Sequence, residues 1–553
     1  VAKRMRWGSN RYEFVRPVKW LLALLGDQVL PMEGFGLTAN NLTYGHRIHA
    51  PNAIAIQHPG EYLHRLREEG KVMADFAARQ QFIAEQVAQA AQQHGVTALV
   101  SDDLLSEVAS LNEWPVVLSG EFEERFLEVP AEALITSMEE HQKYFAATDS
   151  AGELVNRFFF VANLESKDPA VVISGNEKVI RPRLSDAAFF WENDQKVPLA
   201  DRVASLDKVV FHNALGSVGD KSRRISALAA SLARGLKLDE VNAQRAAWLA
   251  KADLVTDLVF EFDHLQGLAG YYYALKDGEA EAVALAIRDQ YKPGFAGDSL
   301  PTTDVGAVVA LADRLDTLVG IFGIGQKPSG TKDPFALRRA SLGVLRLVIE
   351  KRFALDLEDV LALALKGYDE PSWAHSKSVV AECLAYILER FRAMYQDEGI
   401  SPDVFYAVRE LGLSQPLDID ARVRGVSAFK ALPVAASLCE SNKRVANLLS
   451  KTGLQVSDTP TTLASLTALT APAEGLLIDQ LETLQSTVEH TVASGDYAAA
   501  LAELSKLKLP LDQFFNDVMV MADDPALREQ RLALLAEVRR LFLKVADISL
   551  LQL

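Results

Sequence analysis

The chain has 553 residues, 49% of them apolar and 24% charged; this excludes a disordered chain or a fibre, and about 150 residues per domain makes three or four domains the starting expectation. Its 57 Lys and Arg stand against 74 Asp and Glu, a net charge of −17, so any nucleic acid must be held by local basic patches set in a repelling background. Two cysteines, Cys383 and Cys439, supply neither a disulfide framework nor a cysteine-rich zinc site, and read as reduced core thiols of a cytosolic protein.

The chain opens on Val1-Ala-Lys-Arg-Met-Arg-Trp-Gly8, without an initiator Met or a signal-peptide apolar region, so further sequence is expected upstream. No apolar run approaches the roughly 18 residues of a membrane helix. Val18–Leu25, Val116–Leu118 and Phe158–Ala162 read as strands between turn signals. A helix is predicted over about 60–94, with Met73, Phe76, Ile83 and Val87 on one side and Gly95 as its stop.

From about residue 201 the helical period takes over. Leu311, Leu315, Leu318, Val319 and Phe322 make one apolar stripe, and Leu534, Leu535, Val538, Leu541 and Phe542 another. The fold class expected is an α+β N-terminal module followed by all-α domains, multidomain and mainly helical. Gly323–Pro334 reads as a loop between helices, and Thr452–Ala473, rich in Thr, Ser, Ala and Pro, as a mobile insertion.

Within that loop, Gly325-Gln-Lys-Pro-Ser-Gly330-Thr331-Lys332 nearly matches the phosphate-binding G-x-x-x-x-G-K-[ST] pattern, but Lys and Thr are reversed and no strand precedes it. His212, Asp253 and Asp313 are spaced like the metal ligands of HD-type phosphohydrolases, a likeness that extends over Lys251-Ala-Asp-Leu-Val-Thr-Asp257 and Glu261-Phe-Asp-His-Leu-Gln-Gly267. The position before Asp253 is Ala252, which has no lone pair to offer a metal, so a degenerate, structural domain is expected; an active metal-dependent phosphohydrolase is the alternative. Asp313 and Asp316 share a helix face and read as a solvated or capping edge. His46 and His49 read as loop histidines. No nucleophile elbow or Cys–His signature is present, and no catalytic residue is assigned.

Basic clusters gather near the C-terminus. Residues 421–451 hold Arg422, Arg424, Lys430, Lys443, Arg444 and Lys451 against the single acid Glu440; residues 528–544 hold Arg528, Arg531, Arg539, Arg540 and Lys544 against Glu529 and Glu537. Arg528, Arg531 and Arg539 fall within a sector of about 80° at ~100° per residue. Two such patches make a phosphate-tracking surface plausible in so acidic a chain. Phe514 and Phe515, followed by Val518 and Met519, read as core packing rather than base stacking.

Asn442-Lys-Arg-Val-Ala-Asn-Leu-Leu449, Phe514–Asp524 and Leu527–Leu535 resemble the helical anticodon-binding domain of arginyl-type synthetases. End to end, the chain is similar to the β subunit family of bacterial heterotetrameric glycyl-tRNA synthetases. Met5–Gly8, Phe14–Pro17, Glu113–Val116, His141–Phe145, Gly175–Val179, Phe322–Gln326, Lys332–Arg339 and Val545–Leu550 carry that likeness. The resemblance implies an α/β module over 1–200 similar to the B3/B4 module of the phenylalanyl enzyme's β chain. It further implies a degenerate HD-like domain over 201–345, a helical linker domain over 346–420 and the anticodon-binding domain over 421–553.

It also implies a cytoplasmic α2β2 assembly with a glycyl-tRNA synthetase α subunit, in which ATP, Mg and glycine chemistry belong to that α subunit. The β chain would be the non-catalytic, tRNA-Gly-recognising part of a glycine–tRNA ligase, with no cofactor of its own, no DNA partner and no membrane. The family's further N-terminal region is expected to be missing here. Lys443, Arg444, Arg528 and Arg531 would hold phosphates near the anticodon stem and loop, and Asn447 would read a base edge. In agreement, the sequence shows no class I HIGH or KMSKS signature and no recognisable class II motif set.

Overall fold

The computed structural model describes residues 3–9, 11–368, 377–457 and 459–552. Part of the predicted linker domain, residues 369–376, lies outside them, as does Asp458 of the predicted insertion. The chain divides into two compact units: Val1–Val197 with Thr256–Leu265, and Pro198–Val255 with Gln266–Leu553. Strands are concentrated at the front and helices fill the rest, as the sequence pattern requires.

The first unit is built on a four-stranded antiparallel sheet of β1 (Thr97–Ala98), β2 (Val116–Glu121), β3 (Phe145–Thr148) and β4 (Leu154–Ala162), ordered β1-β3-β4-β2. Alternation along β4 sends Phe159 to one face, where it meets Phe145 and Ala147, and Phe158 and Phe160 to the other. Helices α1 (Phe76–His94) and α2 (Asp102–Leu111) cover the first face with Ile83, Val87 and Ala91, and with Leu104, Val108 and Ala109. Helix α3 (Pro169–Asp194) packs against β2 on the other face. It approaches so closely that a Cβ on Gly120 would lie 2.6 Å from the Phe158 ring and 3.2 Å from Glu177 Cγ. Three short two-stranded ribbons precede this sheet, between Leu24 and Ala55.

Two expectations change here. The predicted Val18–Leu25 strand reduces to Leu24–Leu25, paired with Gln28–Val29. The predicted 60–94 helix is two helices, Tyr62–Glu68 and α1, because Asp75 caps a fresh start by accepting from the Ala78 N–H. Phe76 therefore lies on the exposed side of α1, whereas Met73 is buried ahead of it. Gly95 does end α1, in the left-handed conformation at φ 67°.

Residues 256–265 return to the first unit. The Asp194 carboxylate at the end of α3 is buried and accepts from the Asp257 and Leu258 N–H groups at 3.0 and 2.9 Å, capping the short helix Asp257–Glu261.

Among the described residues, the second unit is helical apart from the hairpin Val210–His212/Gly216–Ser217. At its centre lie α4 (Val218–Leu236) and α5 (Asp304–Gly323). The predicted α5 stripe is only part of what is buried: Ala307, Val308, Val309, Ala310 and Ala312 are enclosed too, so α5 is a central helix rather than a one-sided one. The Gly323–Pro334 segment links α5 to α6 (Leu337–Glu350), as expected.

Toward the C-terminus come α7 (Ala435–Thr452), α8 (Pro472–Ala493), α9 (Lys508–Asp517) and α10 (Pro525–Leu543), the last burying its predicted stripe. The predicted mobile insertion is instead fastened onto α10. Leu463 and Leu466 are buried, the Thr461 N–H donates to Glu537, and the Ala468 N–H donates to Gln530. Cys383 and Cys439 are free and buried. Among the described residues no helix is long and apolar enough to cross a membrane.

Candidate nucleic-acid interface

Helix α7 turns Leu438, Cys439, Asn442, Val445 and Leu449 inward, against α9, α10 and the turn Ile548–Leu550. Helical spacing then sends Lys443, Arg444, Asn447 and Lys451 outward, where they line an open depression of about 490 Å³ together with Glu440 and Leu448. Lys443, Asn447 and Lys451 have no ion-pair or side-chain hydrogen-bond partner among the described residues. The Arg444 guanidinium lies 4.2 Å from the centre of the Phe515 ring on α9, which holds a flat cation in place while leaving its edge exposed.

The rest of the two basic clusters is already committed. Arg422 bonds Asp418 and the carbonyls of Lys544 and Val545; Arg424 bonds Asp420 and Glu398; Lys430 bonds Asp403. Arg531 lies 2.6 Å from the fully buried Glu474 and also donates to the Met519 carbonyl. Arg539 pairs with Asp547, Arg540 with Glu537 and Lys544 with Glu489. Arg528 alone in that second cluster has no side-chain partner among the described residues. The predicted phosphate-tracking surface along 528–544 is therefore mostly a set of internal ion pairs. Of the five predicted contacts, Lys443, Arg444 and Asn447 come together, while Arg528 and Arg531 do not line their depression.

The aromatic expectation divides in the same way. Phe514 and Val518 are core residues, but Phe515 is half-buried beneath Arg444, and Met519 is 76% exposed beyond the end of α9. Sequence reasoning missed Phe515 as a support for Arg444; the adjacent pair of phenylalanines was its only signal.

The HD-like positions form a different kind of site. Asp313 Oδ1 lies 2.9 Å from Lys221 Nζ, and Asp313 Oδ2 lies 3.2 Å from Lys251 Nζ. Asp316 takes Lys221 at 3.1 Å and Arg224 at 2.6 Å. Asp313 and Asp316 are thus enclosed counter-ions rather than a solvated edge, and two ammonium groups stand where a divalent cation would need ligands. Burial works to raise the Asp313 pKa, but Lys221 and Lys251 override it and hold the carboxyl well below the usual range. His212 lies on the hairpin, accepts the Ala214 N–H and faces Phe335 edge-on. Among the described residues no group of three or more His, Cys, Asp or Glu is placed to hold a metal ion. The donor set does not fit the metal of an HD phosphohydrolase.

Asp253 is fully buried and accepts from the Gly267 and Gly270 N–H groups. Burial pushes its pKa up to about 6, against the opposing pull of those N–H groups and Lys251. An acid whose pKa is raised on folding stabilises the fold fully below about pH 4 and loses that contribution as pH rises through about 6. Asp253→Asn is expected to abolish this part of the pH dependence and to raise stability at pH 7, by an amount on the order of 1 to 3 kcal/mol. Urea unfolding between pH 4 and 8 measures it, and parallel curves for the two proteins would refute it.

A family model described as the glycyl-tRNA synthetase beta subunit matches residues 1–410, and one described as the DALR anticodon binding domain matches residues 438–549. The glycine–tRNA ligase beta subunit of Marinobacter nauticus is 52% identical over 100% of this chain and 79% of its own length. The chain belongs to the glycyl-tRNA synthetase β subunit family. The corresponding subunits of Acinetobacter baylyi and Chromohalobacter salexigens are each 50% identical over the same share of both chains. The α7 depression, its Phe515 support and Arg528 all fall inside the span matched by the anticodon-binding domain.

Proposed function

We propose that the chain recognises tRNA-Gly for a cytoplasmic α2β2 glycine–tRNA ligase, with the α subunit binding ATP, Mg and glycine and joining the amino acid to the tRNA. The observation that carries this reading is the α7 surface, where Lys443, Arg444 and Lys451 are presented outward from within the anticodon-binding span. In this arrangement the three cations hold phosphates and Asn447 meets a base edge. The division into a front module over 1–200, an HD-like domain over 201–345, a linker over 346–420 and a tRNA-binding end over 421–553 is part of the same proposal. No catalytic residue is placed on this chain.

The test is to sequence the RNA that the chain retains from a total tRNA pool, beside a Lys443→Ala/Arg444→Ala control. Enrichment of tRNA-Gly that disappears in the control supports the reading. Equal recovery of all tRNAs by both proteins defeats it.

A further inference from the structure

The first unit contains a second concavity, of about 220 Å³, that the α7 surface leaves unexplained. Two of the stretches singled out in the sequence converge on it, and the residue just ahead of a third joins them. Asn112 stands just before Glu113–Val116, Gln142, Lys143 and Tyr144 belong to His141–Phe145, and Asn176 belongs to Gly175–Val179. Phe160 of β4 supplies part of the wall.

The polar atoms here are oriented by the fold. Tyr144 Oη donates to Asn176 Oδ1 at 2.6 Å, so the phenol oxygen keeps lone pairs to offer. Asn176 Nδ2 donates to the Val172 carbonyl at 2.8 Å, and Asn112 Nδ2 to the Val108 carbonyl at 2.7 Å. Among the described residues no donor reaches Asn112 Oδ1, and the Gln142 side-chain amide has no hydrogen-bond partner. Lys143 takes the left-handed backbone conformation at φ 59°, after Gln142, which ends the π-helical turn Ser137–His141. Irregular backbone of this kind is costly for a lysine and sets the side chains beyond it.

The charge of the concavity restricts what it takes. Lys143 Nζ is 3.0 Å from Glu107 Oε2, which neutralises the one cation in the wall. Burial pushes the Tyr144 pKa up to about 12, so the phenol stays neutral. A charged guest would lose hydration without a counter-charge, and a purely apolar one would leave the amides unsatisfied. A flat, uncharged group with donors and acceptors along one edge satisfies both conditions, with Tyr144 and Phe160 as apolar wall.

We propose that this pocket of the first unit, formed by Asn112, Gln142, Tyr144, Phe160 and Asn176, binds a single unstacked nucleobase of RNA. Amide side chains beside aromatic rings are the groups that read bases splayed out of single-stranded RNA. The site is separate from α7 and contributes a contact that the anticodon-binding surface does not.

The test uses the full chain with adenosine, guanosine, cytidine and uridine as probes, read by saturation-transfer NMR, with glycine and inorganic phosphate as competitors. At least one nucleoside is expected to bind and to be displaced by neither competitor. Tyr144→Phe, which keeps the ring stacked on Phe158, should weaken that binding about tenfold through loss of one hydrogen bond. Asn176→Leu should weaken it at least as much, and if that variant does not fold, Tyr144→Phe decides. The Lys443→Ala/Arg444→Ala protein should bind the nucleoside as the parent does, which separates this site from the α7 reading. No saturation transfer from any nucleoside, unchanged binding in Tyr144→Phe, or displacement by glycine or phosphate would overturn the proposal.

Discussion

Replacing Asp316 with alanine is expected to destabilise the protein by about 3 to 5 kcal/mol, the typical consequence of removing one partner from a buried ion pair. Asp316 is 1% exposed and is the counter-ion of both Lys221 and Arg224. Without it two cations remain enclosed, and Asp313, already shared between Lys221 and Lys251, cannot neutralise them all. The Arg224 guanidinium also sits 4.1 Å from the Tyr368 ring, which keeps it from swinging out to water without breaking that packing. Chemical denaturation followed by far-UV circular dichroism measures the effect; a loss below about 1 kcal/mol would mean that the cations reach solvent after all. The depressed Asp313 pKa adds a pH signature. A carboxylate held below its usual range stabilises the fold above about pH 4 and loses that contribution as pH falls through its folded value.

The second large effect concerns RNA. The Lys443→Ala/Arg444→Ala protein should bind tRNA-Gly on the order of a hundredfold more weakly, from two charge-assisted contacts of roughly 1.5 kcal/mol each. The slope of log affinity against log salt should fall by roughly 0.7 to 0.9 for each cation removed. Fluorescence anisotropy across a salt series gives both quantities. Arg531→Ala supplies the contrast. Because Arg531 neutralises Glu474, its loss should lower the melting temperature while leaving the salt slope alone. A slope that drops for Arg531→Ala and not for the α7 pair would move the interface to α10.

These outcomes bear on what the sequence could and could not reveal. Lys443, Arg444 and Asn447 were legible because helical spacing on an amphipathic segment fixes which side faces out. Arg422 and Arg424 were misread because their partners, Asp418 and Asp420, sit four residues upstream, just ahead of the basic stretch 421–451. Arg531 and Arg539 were misread for a harder reason. Arg531's partner Glu474 lies 57 positions away in sequence, and Asp547 comes after the end of α10, where no one-helix periodicity relates it to Arg539. In the region expected to be HD-like, Ala252 offers no metal ligand, but nothing local showed that Lys221 would reach Asp313 across 92 positions. Fold class came from the change of period near residue 201. Met73 and Phe76 lie on either side of the Asp75 cap, so apolar spacing alone predicts one helix over 60–94 where the structure has two.

The return of residues 256–265 to the first unit has a consequence for how the protein is made. Synthesis proceeds from the N-terminus, so the sheet and α1–α3 emerge well before the short helix that the Asp194 carboxylate caps. Until residue 258 has cleared the ribosome, Asp194 has no Asp257 or Leu258 N–H to hold, and until residue 265 follows, the front unit waits for a piece encoded beyond α4. The N-terminal unit is therefore completed late, and a nascent chain stalled before residue 256 should be more open to protease in its front unit than one stalled after residue 265 has emerged.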